Sequence, residues 1–525
     1  MGRREFKDNF KNMDSIRIKN LRSIVDSGDI QLSRINILLG KNSSGKSSFI
    51  RLFPLLKETC RHELRGPILW FDENYDFGDF ANTLSRHAEG EKDIISIEFT
   101  WSIETKGKRN PYFTEPIAKG PSQKKGDDKA QVEIGISKHG DSTYFKKIRF
   151  VIWGNEVIIE NDNPHKPVSL SLNGRRVTQK TYKWNYGSEG ILPHLTSQSD
   201  YSPIDVITSS LIKIYGEGSI KSEDYYLMSR VPLFDEEAIW IFIGEILLKQ
   251  KKAKLTKTIK ESNEYRQIID TTIWASLPRL IDYIDGELSE YFYHTYYVTP
   301  LRYNFLRYMR NRELAVEYVE STGKNVMEYI LSLNEEERLS YIEYISKTLE
   351  IIIDVIGQDN KSIFVTTKDG ERDNIVDVGY GISQVLPIAT ILWDRAYKKD
   401  RYSANTIVVE QPEVHLHPAM QKKLARLFVE ALNIAKSRGR KLTLIIETHS
   451  NALVNRLGAY VQNDNAPKIP ELLEYYQLDK EPEVKISNED ISVYLFDKKE
   501  GVTHITKTSY DKSGRIVRWP IGFLD

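Results

Sequence analysis

Apolar positions fall into two rhythms along this chain. Ile35-Asn36-Ile37-Leu38-Leu39 is a continuous apolar run that predicts a buried strand. From Ser48 to Leu56 the apolar residues Phe49, Ile50, Leu52, Phe53 and Leu56 recur at helical spacing. Ser15 to Lys19 alternates as a strand does, and Asp29 to Leu32 is placed to pair back on it. Four strands are predicted at Ile94 to Trp101, Gln131 to Ile136, Lys147 to Ile152 and Glu156 to Glu160. From about 203 to 358 the rhythm turns helical, strongest over Asp235 to Leu248 and Ile268 to Phe292. Strands return at Ser362 to Thr367 and Asn374 to Val378. Then come a helix (Gln384 to Tyr397), a strand (Thr406 to Glu410), a helix (Pro418 to Ser437), a strand (Leu442 to Glu447) and a helix (Asn451 to Leu457). That alternation predicts a parallel sheet flanked by helices, and Ile491 to Asp497 with Val502 to Thr506 predicts a closing hairpin.

Between the first strand and helix stands Gly40-Lys41-Asn42-Ser43-Ser44-Gly45-Lys46-Ser47, which fits G-x-x-x-x-G-K-[ST]. The two glycines allow a tight turn and close backbone approach. The amides of Asn42, Ser43, Ser44, Gly45 and Ser48 would then face the phosphates of a nucleotide. Lys46 would reach the β- and γ-phosphates, and the Ser47 hydroxyl would ligate Mg²⁺. The alternative is a Gly/Ser-rich turn with a chance lysine.

Three further stretches bear on that site. Thr406 to Glu410 is a β-branched strand ending in a carboxylate, and Glu410 is the expected second Mg²⁺ group. Leu442 to Ile446 leads into Glu447-Thr448-His449-Ser450, where His449 is placed to sense the γ-phosphate or orient water. Gly379-Tyr380-Gly381-Ile382-Ser383-Gln384 opens a helix and offers donors for an anion, although it also fits an ordinary helix cap.

Composition adds limits. Basic and acidic residues number 74 each, so no global charge calls for nucleic acid, though a local basic surface stays open. A single cysteine, Cys60, excludes an internal disulfide and suits a reducing cytoplasm. No apolar run approaches the ~18 residues of a membrane span, and the start lacks a secretion or myristoylation signal. Two basic stretches, Lys106 to Lys129 and Lys249 to Lys260, could touch a polyanion, but a solvated loop for the first and a solvated helix face or helix-helix connection for the second are the preferred readings. No heptad run supports a coiled-coil arm.

GYGISQVLPI, VVEQPEVHLHP and IIETHS, in this order after the phosphate loop, resemble the ATP-binding-cassette ATPases of the SMC-like branch. They are most similar to the overcoming-lysogenisation-defect type and the Septu-type anti-phage ATPases, including retron-linked members. Tyr297 to Arg302 looks like the segment before that group's lid region, and Arg518 to Phe523 is similar to the terminus of some members. The resemblance covers both ends and is poor over about 100 to 290. It implies an α/β head with a phosphate loop, an antiparallel β subdomain and a helical insertion. The expected segments are 1–202, an N-terminal lobe; 203–358, the insertion; and 359–525, a C-terminal lobe.

The resemblance also implies ATP and Mg²⁺ as cofactors and a homodimer, or higher homo-oligomer, with ATP between two heads. Gly381 and Ser383 of one copy would face the nucleotide on Lys46 of the other, His415 and His417 would lie at the seam, and His449 would be the switch histidine. A His-x-His metal site is the rival reading of that pair. The chain departs from the group in three ways. Many relatives place a catalytic carboxylate after the Mg²⁺ residue, and here Gln411 stands there. An amide cannot accept a proton as a carboxylate does, yet it can orient water, so hydrolysis is expected to be slow, with Glu413 as a substitute base. The usual Mg²⁺-coordinating glutamine is missing, and Tyr75 to Phe80 occupies its place. The residues after Glu447, about 80, are too few for a toprim nuclease, and no HNH-like cluster occurs. A separate HNH-type nuclease subunit is therefore the expected partner, with a reverse transcriptase and its DNA product as a further one. The alternatives are an ATP-gated scaffold without turnover and a DNA-repair ATPase that binds DNA directly.

Overall fold

The computed structural model describes residues 13–102, 129–152, 154–178, 182–187, 189–197, 202–215, 236–242, 256–310, 316–357, 359–367, 369–398, 404–465 and 484–517. The chain divides into two compact units. One comprises Arg22–Pro54 with His294–Asp525, the other Asn9–Leu21 with Leu55–Tyr293.

The first unit is built on a six-stranded sheet. Its order is Thr295–Val298, Ala404–Glu410, Lys441–Glu447, Ile35–Gly40, Ile491–Lys499 and Val502–Thr508. The first five run parallel, and the last closes an antiparallel hairpin on its neighbour. All six residues of Ile35–Gly40 are buried, as a parallel strand covered on both faces requires. The helices Tyr380–Tyr397, Pro418–Ser437 and Asn451–Asn465 supply apolar faces to one continuous core that includes Ile37, Leu386, Ile407, Phe428, Ile446 and Leu453. The Pro418–Ser437 helix has the predicted bounds, set by Pro418 at its first turn and the cap on His417.

A smaller sheet in this unit joins Ile352–Ile356, Asn360–Thr366, Arg372–Asn374 and Met309–Arg310. The strand predicted over Asn374 to Val378 ends at Asn374. Its side chain accepts from the Val376 amide, and Asp377 N–H bonds the Asn374 carbonyl, so the chain turns there. The phosphate-loop helix is likewise shorter than its apolar rhythm suggests. Lys46–Ile50 and Leu52–Arg61 are separate helices that meet at Arg51.

The second unit holds an antiparallel sheet in the order Arg175–Val177, Ser169–Leu172, Asn155–Glu160, Ser142–Ile152, Lys129–His139, Ile95–Ser102 and Met13–Leu21. It also holds the helices Pro203–Tyr215 and Asn263–Tyr293, the latter of 31 residues. Asp270 on that helix accepts from Arg175 and from the Thr178 amide, and Trp274 stacks on Tyr182 with centroids 4.9 Å apart.

The division differs from the three segments expected, 1–202, 203–358 and 359–525. Chain from His294 onward joins the first unit because Thr295–Val298 adds in parallel to Thr406–Val409 and Ile352–Ile356 pairs with Ser362–Thr366. Lys106 to Asp128, Lys249 to Leu255 and Arg518 to Phe523 lie outside the described residues. No helix among the described residues is long and apolar enough to cross a membrane.

Candidate active site

The site is assembled at one end of the parallel sheet. Ile35–Gly40 delivers the chain into the loop, and backbone geometry then demands glycine twice. Gly40 has φ 154°, and a Cβ there would lie 2.3 Å from the Phe496 carbonyl oxygen. Gly45 has φ 101°, and its Cβ would lie 2.7 Å from Thr503 Oγ1. The C-terminal hairpin thus backs the loop, and Thr503 Oγ1 donates to the Ser44 carbonyl at 2.8 Å.

Lys46 is 2 % exposed. Its ammonium donates to the carbonyls of Gly40 and Lys41 at 2.9 and 2.8 Å and lies 3.8 Å from Glu447 Oε1. Burial lowers its pKa, against the pull of Glu447 and Glu413. Ser47 Oγ donates to the Glu447 carboxylate at 3.1 and 3.2 Å. Glu447 is buried, and desolvation together with the neighbouring Glu410 raises its pKa to about 7.

Glu410 and Glu447 are register partners on adjacent strands. Both carboxylates are buried, and each is matched to its own cation. Arg51 grips Glu410 in a fork, Nε to Oε2 at 3.1 Å and Nη2 to Oε1 at 2.7 Å, and the Tyr297 hydroxyl also donates to Oε2. Ser47 and Arg51 are four residues apart on one turn, so they reach two neighbouring strand ends. The carboxylate that Ser47 hydrogen-bonds directly is Glu447.

The loop after Glu410 is tied back to the same place. Gln411 takes φ 45°, its N–H bonds the Glu447 carbonyl at 2.9 Å, and its carbonyl accepts from Arg302 Nη2 at 3.0 Å. Glu413 accepts the His449 backbone N–H at 2.5 Å, which holds the two loops together. Burial raises the Glu413 pKa. Burial and then the Lys46 charge lower that of His449 to about 4, so its imidazole is neutral at pH 7. Burial lowers Arg302 to about 10, so it stays cationic at pH 7.

Asn42 and Ser43 are exposed, whereas Ser44 and Ser48 are buried. Gly381 and Ser383 stand on the first turn of Tyr380–Tyr397, and Gly381 approaches Leu416 of the loop after Glu410. His417 caps the next helix through Nδ1, and exposed His415 adopts φ 62°. No group of three or more His, Cys, Asp or Glu among the described residues is placed to hold a metal alone. Tyr75 to Phe80 forms the end of a short hairpin and a helix start in the other unit. Sequence reading did not single out Arg51, Tyr297 or Glu447 as residues of this cluster. The signal for Glu447 was present: it closes an apolar strand as Glu410 does.

A phosphate loop on an inner strand of a parallel sheet, with carboxylates closing the next two strands, defines the class of α/β phosphate-loop nucleotide hydrolases. The chain belongs to the AAA ATPase domain family, which matches residues 12–454. Among curated proteins none matches the sequence. Solved structures similar to it include the Smc head bound to the C-winged helix domain of ScpA (11% identity, 95% of this chain and 98% of that one, TM-score 0.36). The SMC head domain from Thermotoga maritima is also similar (9%, 94% and 98%, 0.34), as is the Smc head with an extended coiled coil bound to the C-terminal domain of ScpA from Pyrococcus furiosus (11%, 95% and 96%, 0.35).

Proposed function

We propose that this ATPase turns ATP over slowly and uses ATP mainly to hold two heads together, regulating a separate nuclease subunit in anti-phage defence. The observation that carries the nucleotide reading is the meeting of Lys46, Ser47 and Glu447 within 3.8 Å at the mouth of the loop. A hydroxyl and a carboxylate are the oxygen donors a hard Mg²⁺ ion takes, so the residues fit that ion. When bound, Mg²⁺ supplies charge neutralisation on the phosphates. Lys46 adds a second positive charge once it turns from the loop carbonyls, and His449 contributes a neutral imidazole.

Slow turnover follows from Gln411 and Glu413. The Gln411 amide orients water without taking its proton, and Glu413 is engaged by the His449 amide. Dimerisation through Gly381 and Ser383, the HNH-type nuclease, a reverse transcriptase with its DNA product, and a cytoplasmic location are supported by the resemblance of the three motifs to Septu-type ATPases. The scaffold reading has its own support in the Arg51 and Tyr297 grip on Glu410, which withholds that carboxylate from chemistry.

ATP turnover by the purified chain separates the two. We expect measurable hydrolysis, its loss in Lys46→Ala, and a rise of roughly tenfold or more in Gln411→Glu, where a general base is restored. Wild-type protein that binds ATP and never hydrolyses it removes slow turnover and leaves the scaffold.

A further inference from the structure

Resting on that nucleotide reading, we infer that Thr503, on the closing hairpin, is a positioning residue for the phosphate loop: its hydroxyl sets the Ser44–Gly45 peptide so that the Gly45 N–H is offered to the nucleotide phosphates. Thr503 Oγ1 lies 2.8 Å from the Ser44 carbonyl oxygen and 2.8 Å from Ser23 Oγ. A hydroxyl carries one proton, and a carbonyl can only accept. The Thr503 proton therefore goes to the Ser44 carbonyl, and the Ser23 hydroxyl donates to Thr503. The Thr503 N–H bonds the Ser23 carbonyl at 2.7 Å, and the residue is 2 % exposed, so the hydroxyl is fixed and shielded from water.

A trans peptide points its carbonyl and its N–H in opposite directions. With the Ser44 carbonyl turned to the hairpin, the Gly45 N–H is turned away from it, and it meets no acceptor among the described residues. An amide donor without an acceptor is what an anion-binding loop presents. Glycine makes the clamp necessary. Gly45 adopts φ 101°, and glycine takes either sign of φ at little cost, so this peptide is free to flip unless something holds it. A flip would exchange the N–H for the Ser44 carbonyl and set a partial negative charge against the phosphates. Glycine also makes the clamp possible, because a Cβ at Gly45 would lie 2.7 Å from Thr503 Oγ1. Thr508, later on the same strand, is the contrast: its hydroxyl is buried and has no hydrogen-bond partner.

The test is equilibrium binding of a fluorescent ATP analogue with Mg²⁺ to the full chain, as wild type, Thr503→Val, Thr503→Ser and Thr508→Val. Valine keeps the shape of threonine and removes the hydroxyl, so Thr503→Val should weaken binding roughly tenfold or more, the worth of a hydrogen bond to a charged group. Thr503→Ser retains the donor and should bind within about threefold of wild type. Thr508→Val makes the same change at the unpartnered hydroxyl and should bind as wild type does. If Thr503→Val lacks a cooperative thermal transition, Thr503→Ala takes its place with the same expectation. The assignment is overturned if Thr503→Val binds as wild type does, if Thr503→Ser is as weak as Thr503→Val, or if Thr508→Val is weakened equally. Wild type that binds no analogue overturns the nucleotide reading itself, a distinguishable result.

Discussion

Asp285 shows how a largely enclosed carboxyl is held in the second unit. Its carboxylate accepts the amides of Ile191 and Leu192, each at 2.7 Å, and the Ser289 hydroxyl. The chain can wrap it this closely because residue 190 is glycine: a Cβ there would lie 2.3 Å from Asp285 Oδ2. Burial outweighs those hydrogen bonds and raises the pKa to about 6. The folded state therefore holds a proton that the unfolded chain releases nearer the ordinary 3.8. The stability this gives is fully present below that value and is lost as pH rises through about 6. A shift of this size corresponds to about 3 kcal/mol across the window. Urea unfolding from pH 4 to 7 should show wild type losing stability relative to Asp285→Asn as pH rises. A flat difference would mean that the carboxylate is not the titrating group.

Among elements, the helix Asn451–Asn465 is fixed by a turn far away in sequence. The Tyr510 hydroxyl donates to the Val454 carbonyl at 2.8 Å, and the turn that follows brings the Gly514 carbonyl against Gly458. Alanine is a better helix former than glycine by about 1 kcal/mol. At Gly458 the balance reverses, because a Cβ would lie 2.1 Å from Gly514 O and 3.1 Å from Tyr510 Cε1. Backbone cannot yield as a flexible side chain does, and overpacking costs about 1–3 kcal/mol. Gly458→Ala should therefore lower the thermal midpoint, and a raised midpoint would show that the turn gives way.

At the scale of the whole molecule, one copy supplies one set of candidate phosphate and metal groups, while Gly381 and Ser383 stand on a separate helix start, with Gly381 beside Leu416. Function is expected from two copies that share nucleotides. Light scattering with a non-hydrolysable ATP analogue and Mg²⁺ should show a shift from monomer to dimer mass. Gly381→Arg, at the same helix start, should block the shift while leaving analogue binding within about twofold if that turn meets only the other copy's ligand. Dimers that form equally without nucleotide would remove ATP as the clamp.

The local pattern by itself determined much of this. Period-two and period-3.6 apolar spacing fixed nearly every strand and helix of the parallel sheet, and the phosphate loop was legible because its chemistry is confined to eight consecutive residues. Strand ends marked Glu410 and His449 as candidate site residues for the same local reason. What only the tertiary structure decided was which strand lies beside the loop. Placing Lys441–Glu447 between Ile35–Gly40 and Ala404–Glu410 is a choice among long-range pairings that no periodicity encodes. That choice puts Glu447 on Ser47, frees Arg51 to grip Glu410, and carries the chain after His294 back to the sheet that starts at the phosphate loop.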